Sequence, residues 1–308
     1  MMQSIRSKLQ LKPKVATPLP ESEWVFEAIG TQWWIGIYES TNSENLWHIK
    51  RLVAERIELF DVTYSRFRSD SLVSKVATQK GVYEFPDDAE ALFALYRKLY
   101  DTTNMAVTPL IGQLLADSGY DTRYSLIPGA LHVPPMWDEA LDFADNTLTT
   151  SQPVLLDFGA AGKGYLVDII AELMQSSGIT RYCVDGGGDM VCHGLSEPLL
   201  IGLEQPNDVS KVIGVARLQD IALCGSAGNR RKWHGYTHII DPFSLKSPHN
   251  IKAVWVMADN ALTADGLATA LFFAEPQQLL LHFNFEYAIV YADETVSVSS
   301  NFNAEIFT

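Results

Sequence analysis

The 308-residue sequence predicts an α+β fold, and three observations predict it. The N-terminal half holds stretches with apolar residues at helical spacing. The C-terminal half is dominated by short strands. The two do not alternate in the regular strand–helix–strand order that builds a parallel sheet.

Trp24 to Ile29 and Trp33 to Tyr38 read as two strands joined at Gly30-Thr31, a hairpin. A helix follows from about Ser43, its expected N-cap, with Leu46, Ile49, Val53, Ile57 and Phe60 on one face. Pro86, Asp87 and Asp88 open a second helix through Leu92, Leu95 and Leu99, since proline and acids suit a first helical turn. Asp117 to Pro135 is rich in Gly, Pro and Asp and reads as a long loop. Met136 to Ala144 is expected as a short helix. A helix from Lys163 to about Ser177 stops at Gly178. Strands are expected at Arg181–Val184, Leu199–Leu203, Lys211–Leu218, Ile221–Cys224, Thr237–Ile240 and Ala253–Met257. Helices at Ala264–Phe273 and Gln277–Phe283 and a hairpin from Tyr287 to Val298 complete the chain.

A mean hydropathy of +0.02 with 47% hydrophobic residues is that of a water-soluble globular chain. The formal charge of −14 argues against nonspecific nucleic-acid binding, which needs a basic footprint. No apolar run reaches transmembrane length. Residues 1–20 carry Arg6, Lys8, Lys12 and Lys14 without an acid or an apolar centre, so they read as a flexible extension and not a secretory signal. Cys183, Cys192 and Cys224 form no CxxC and no even-numbered disulfide framework, and a reducing compartment, the cytoplasm, is expected.

Three segments carry chemistry. Asp157-Phe158-Gly159-Ala160-Ala161-Gly162-Lys163-Gly164 is a glycine turn feeding a helix, where backbone N–H groups and a lysine can hold phosphate. It is neither a Walker A sequence, with only Ala160 and Ala161 between the first Gly and Gly162-Lys163, nor a dinucleotide GxGxxG. Lys163 opposes the positive end of the helix dipole, a conflict that a nearby anion relieves. Asp185 to Asp189 encloses three glycines, which serve either close backbone approach to a ligand or a tight strand connection with solvated acids. Asp265 and Thr269 stand four residues apart in an apolar helix, either as two oxygen ligands for a hard cation or as a surface pair. An unpaired buried carboxylate is costly, which favours the cation. His238, entering Ile239-Ile240-Asp241-Pro242, is either structural or a general base, and His234 is expected to be exposed.

In order, these segments resemble the ApbE family, the FAD:protein FMN transferases, from about Phe26 to the C-terminus. The resemblance rests on Ile29-Gly30-Thr31, Ser65-Arg66-Phe67 through Ser71, Asp157 to Asp168, Val184 to Met190, His238 to Pro242 and Ala264 to Thr269. It implies one domain over residues 21–308, with T-fold-related, largely antiparallel sheets and packed helices. It further implies a Mg²⁺-dependent enzyme that cleaves the FAD pyrophosphate. FMN would pass through a phosphoester to a Thr or Ser of an acceptor flavoprotein, releasing AMP. The metal would be held by the Ala160 carbonyl, Asp265 and Thr269. FAD contacts would fall at Ile29, Phe67, Asn104, Met105, Ala106, Asp157, Lys163, Ile239 and Ala268, and His238 would deprotonate the acceptor hydroxyl. Two rival activities stay open: hydrolysis of FAD to FMN and AMP, and flavin binding without turnover.

Overall fold

A computed structural model describes residues 18–228 and 231–307. Most of the expected N-terminal extension, residues 1–17, lies outside the described residues. The chain opens with the expected hairpin, β1 (Ser22–Ala28) and β2 (Thr31–Ile37), followed by α1 (Ser43–Tyr64) and α2 (Leu72–Val76). Next come β3 (Val82–Glu84), α3 (Ala89–Thr102), a 3₁₀ turn (Pro109–Ile111) and α4 (Gly112–Asp117). Residues 118–136 contain no helix or strand, as their composition predicts. They lead to α5 (Trp137–Ala140), β4 (Leu141–Ala144) and β5 (Thr147–Thr150). The second half runs α6 (Gly162–Ser176), β6 (Tyr182–Asp185), β7 (Met190–His193), β8 (Leu199–Gln205), β9 (Asp208–Leu218), β10 (Ile221–Ala227), β11 (Lys232–Trp233) and β12 (Tyr236–Thr237). It ends with β13 (Ile251–Ala258), α7 (Ala261–Ala270), α8 (Pro276–Leu280), β14 (Glu286–Tyr291), β15 (Val296–Val298) and β16 (Ala304–Ile306).

The main sheet has eight strands in the order β1-β2-β6-β7-β10-β13-β14-β15, every neighbouring pair antiparallel. Side chains alternate across it, which divides its residues between two cores. Val184, Val254, Val256 and Ile289 face one core with α1, α3, α6 and α7. Cys183, Met257 and Ala288 face the other, covered by the three-stranded sheet β16-β9-β8. With both faces covered, central strands lose the polar–apolar alternation of a one-sided sheet. A third cluster packs Tyr120 and Leu115 against Trp233 and Ile240, tying residues 118–136 to the β11–β12 hairpin. There Trp233 Nε1 donates to the Ser118 carbonyl at 2.6 Å.

Several elements differ from the sequence reading. Asn42, not Ser43, caps α1, its side chain accepting from Asn45 N at 2.8 Å. Met136 to Ala144 is no single helix: after one turn it becomes β4, whose register with β5 ends at a left-handed Asp145-Asn146 turn. The helix expected at Ala264 begins at Ala261, for a reason found at the site. The strand expected through Ile240 ends at Thr237, so His238 to Ile240 is irregular. β16 was not expected; three residues pairing far back with β9 leave no local signature. Gly178 does terminate α6, at φ +81°. Cys183 and Cys192 are register partners across β6–β7 and are joined as a disulfide, while Cys224 is free and buried. The premise of an unpaired cysteine set, on which a reducing compartment was expected, therefore does not hold. Among the described residues no helix is long and apolar enough to cross a membrane.

Candidate active site

The site is organised by the contact of α6 with α7. A Cβ on Gly164 would lie 2.1 Å from the Ala261 carbonyl oxygen and 2.7 Å from Asp265 Cβ, so only glycine permits this approach. Gly164 N donates to Asp265 Oδ2 at 2.9 Å. One turn along α6, Asp168 accepts from Ala261 N at 2.9 Å and Leu262 N at 2.7 Å. Asn260 accepts from Thr263 N at 2.8 Å. These two side chains satisfy the first N–H groups of α7, which is why it starts three residues earlier than its apolar pattern indicates.

This seam buries Asp265 to 2% exposure. Burial pushes its carboxyl up, opposed by the Lys163 charge and the backbone N–H of Gly164. The surface-pair reading of Asp265 and Thr269 is excluded, because Thr269 Oγ1 donates instead to the Ala160 carbonyl at 3.3 Å. A carboxylate, a hydroxyl and a carbonyl thus meet where α7 crosses the glycine turn. Three oxygen donors of different kinds suit a hard divalent cation, and such an ion offsets the cost of the buried carboxylate. Among the described residues no group of three or more His, Cys, Asp and Glu side chains could hold a metal.

The glycine run between β6 and β7 makes a tight connection and also serves the site. Gly187, at φ +78°, packs where a Cβ would stand 2.2 Å from Thr31 Oγ1. Asp185 accepts from Gly188 N at 2.7 Å, and burial pushes its carboxyl up to about 6 against that bond. Asp185 and Asp189 are buried, not solvated. Asp189 pairs with Lys163 Nζ and accepts from Gly225 N at 3.3 Å. The anion that Lys163 requires at the start of α6 is therefore present in the protein itself.

Two cavities meet here. The first, about 440 Å³, is lined by Phe67, Tyr120 and Tyr124 together with Arg66 and Asp157. Phe67 stacks on Tyr124 with centroids 5.2 Å apart and meets Tyr120 edge-on at 5.4 Å. Arg66 Nε pairs with Asp157 Oδ2, and Asp157 Oδ1 accepts from Gly159 N at 2.7 Å. The second cavity, about 850 Å³, runs from Trp33 and Trp34 past Gly225 and Asp265 to Phe307. Gly30, Gly159, Lys163, Arg231, His238 and Thr269 line both. His238 is half-buried, and its Nδ1 has no hydrogen-bond partner among the described residues. Burial pushes its pKa down to about 4; Arg231 and Lys163 add to this and Asp157 opposes. The imidazole is neutral at neutral pH, in the state that accepts a proton. His234 is exposed.

Of the nine expected FAD contacts, Ile29, Phe67, Ala106, Asp157, Lys163 and Ile239 line the first cavity. Asn104, Met105 and Ala268 line neither. Asn104 is exposed on a left-handed turn after α3, Met105 packs on the core, and Ala268 is buried among the helices. The sequence reading assigned no site role to Arg66, Tyr120, Tyr124, Asp189 or Arg231. Arg66 carried one signal, as a charge between Ser65 and an aromatic residue. The two tyrosines carried none, being part of an irregular segment.

A profile of the ApbE family matches residues 29–288. The FAD:protein FMN transferase of Vibrio cholerae is 35% identical over 143 residues, covering 43% of this chain and 43% of that protein. The chain thus aligns with less than half the length of that relative. The Salmonella typhimurium protein of the same name is 24% identical over 289 residues, 84% of this chain and 80% of that one. Among solved structures, the ApbE protein from Thermotoga maritima superposes with a TM-score of 0.79 at 23% identity, covering 92% of this chain and 99% of that one. The flavin transferase ApbE from V. cholerae gives 0.75 at 22% identity, covering 91% and 97%. These likenesses bear out the expected mixed, largely antiparallel fold, and the chain belongs to the ApbE family.

Proposed function

We propose that this chain is a Mg²⁺-dependent FAD:protein FMN transferase, acting as one unit over residues 21–308. The observation that carries this reading is the meeting of two cavities at Lys163, Thr269 and a neutral His238. FAD has two ring-bearing ends joined by a diphosphate, and the reacting phosphorus must meet both a cation site and an entering hydroxyl. Thr269 of the proposed cation set, Lys163 and His238 all line the shared wall, which supports this reading.

Asp265, Thr269 and the Ala160 carbonyl would hold the cation, which when bound neutralises diphosphate charge and stabilises the departing AMP oxygen. Lys163, now paired with Asp189, supplies positive charge beside the diphosphate. The N–H groups of Gly159, Ala160, Gly162 and Gly164 are already taken within the protein, by Asp157, the Tyr96 hydroxyl, the Phe158 carbonyl and Asp265. The diphosphate charge would therefore fall to Lys163 and the cation, and not to the backbone of the turn as expected from the sequence. His238 takes the proton of the acceptor Thr or Ser hydroxyl as that oxygen attacks the FMN-side phosphorus. One P–O bond to the acceptor forms, the bridging P–O bond breaks, and AMP leaves.

The test measures AMP release from FAD with Mg²⁺ or EDTA, first without and then with a Thr-containing acceptor protein. Metal-dependent AMP with FMN bound covalently to the acceptor is the expected result. Free FMN in place of the covalent adduct would make the enzyme an FAD hydrolase. Bound FAD without AMP in either arm would overturn catalysis.

A further inference from the structure

Arg66 is 3% exposed, and its two terminal guanidinium nitrogens are buried with no hydrogen-bond partner among the described residues. Only Nε is used, in the pair with Asp157, whose other oxygen is taken by Gly159 N. Asp157 therefore does not grip the guanidinium as a bidentate fork. Aromatic faces lie beside the charge, with the guanidinium carbon 4.2 Å from the Phe67 ring centroid and 5.0 Å from that of Tyr120. Such faces steady a cation without accepting its in-plane N–H groups. An arginine stays charged at any working pH, so these donors cannot be silenced by deprotonation. Buried donors left unmet are rare in proteins and call for an explanation.

Arg66 lines the same cavity as the stacked Phe67–Tyr124 pair. A flat ring with acceptor atoms along one edge matches both features, packing on the aromatic shelf and taking the free N–H groups of Arg66. We propose that Arg66 is a specificity-determining residue that reads the acceptor edge of a planar heteroaromatic ring of the dinucleotide. The inference rests on FAD being the ligand. Its two ends share the chemistry required: the flavin through its carbonyl oxygens and ring nitrogens, the adenine through its ring nitrogens.

The test titrates FAD, FMN and AMP separately into the full chain with Mg²⁺. It compares wild type with Arg66→Lys, which keeps the charge and loses the fork, and with Arg66→Met/Asp157→Asn, which removes the buried pair together. In both variants FAD affinity falls about tenfold or more, as expected for charge-assisted hydrogen bonds. The loss is reproduced with one half-ligand only. Loss confined to FMN assigns the cavity to the flavin, and loss confined to AMP assigns it to the adenine. Equal loss of both halves, as general loosening would give, or wild-type affinity for all three, overturns the role of Arg66. A wild-type chain that binds no FAD overturns the proposed function and this inference with it.

Discussion

The α6–α7 seam and the aromatic cavity form two sides of one site, yet they are built on opposite principles. The seam is held by backbone: Gly164 against Ala261, and Asp168 and Asp265 accepting from main-chain N–H groups of the facing helix. The aromatic wall is held by side chains, Tyr120 and Tyr124 coming from an irregular segment that packs on a two-stranded hairpin. The seam has no room for another residue type at its closest point, whereas the wall can exchange one ring for another. Under the proposed function, the chemistry that must be fixed within tenths of an ångström would sit on the first, and the surface that receives a ligand ring on the second.

The sharpest way to break this contrast is Gly164→Val. Its Cβ and both methyls enter the space of the Ala261 carbonyl, so destabilisation of about 3 kcal/mol or more is expected, read as loss of cooperative thermal unfolding near the wild-type temperature. A wild-type melt would show that the helices part without cost.

Asp265→Ala removes the carboxylate from the cation set, and Mg²⁺-dependent AMP release is expected to fall on the order of a thousandfold. Turnover that keeps its metal dependence would remove Asp265 from that set. His238→Ala is expected to lower kcat about a hundredfold with FAD affinity retained, separating proton transfer from binding. Equal losses in both quantities would make His238 a binding group.

Asp168→Asn probes the seam through pH. Burial raises the folded carboxyl of Asp168 to about 6, above its unfolded value, against the bonds from Leu262 and Ala261. Its contribution to stability is thus full below the ordinary carboxylate range and lost as pH climbs through about 6. His238, depressed to about 4, acts in reverse: its contribution is full above its unfolded value and lost as pH falls through about 4. The asparagine variant should cost about 1 kcal/mol through the weakened helix cap and show a flatter fall in stability between pH 4 and 6. An unchanged slope would place that titration elsewhere. The smallest effect is expected from Tyr124→Ala on the aromatic wall, about 1 kcal/mol in FAD binding with the melting temperature nearly unchanged. A loss of stability as large as that of Gly164→Val would erase the distinction between the two regions.

The same contrast explains what could be read in advance. Asp265 and Thr269 lie four residues apart on one helix, so their shared face follows from helical geometry and was legible, whereas the capping of α7 by Asp168 of the facing helix was not. Gly178 and the β1–β2 hairpin were legible because turns are written in adjacent residues. The pairing of Lys163 with Asp189, of Cys183 with Cys192 and of β16 with β9 depends on which strands become neighbours, and no local pattern carries that. The turn from α5 to β4 escaped because four residues of helix and four of strand each fall below the length at which periodicity separates them. Asp189 was visible as the end of a glycine run, but burial against a lysine 26 positions away was not.

Phe307 stands in the wall of the second cavity, directly after the short strand that pairs with β9. Under the proposed function this cavity receives part of the substrate, so an affinity tag fused at this end is attached close to a wall of the reaction site. Tag placement is therefore an experimental variable for this chain. Rates measured with an appendage at that end report the appendage as well as the enzyme, and a matched preparation tagged at the other end is the control that separates them.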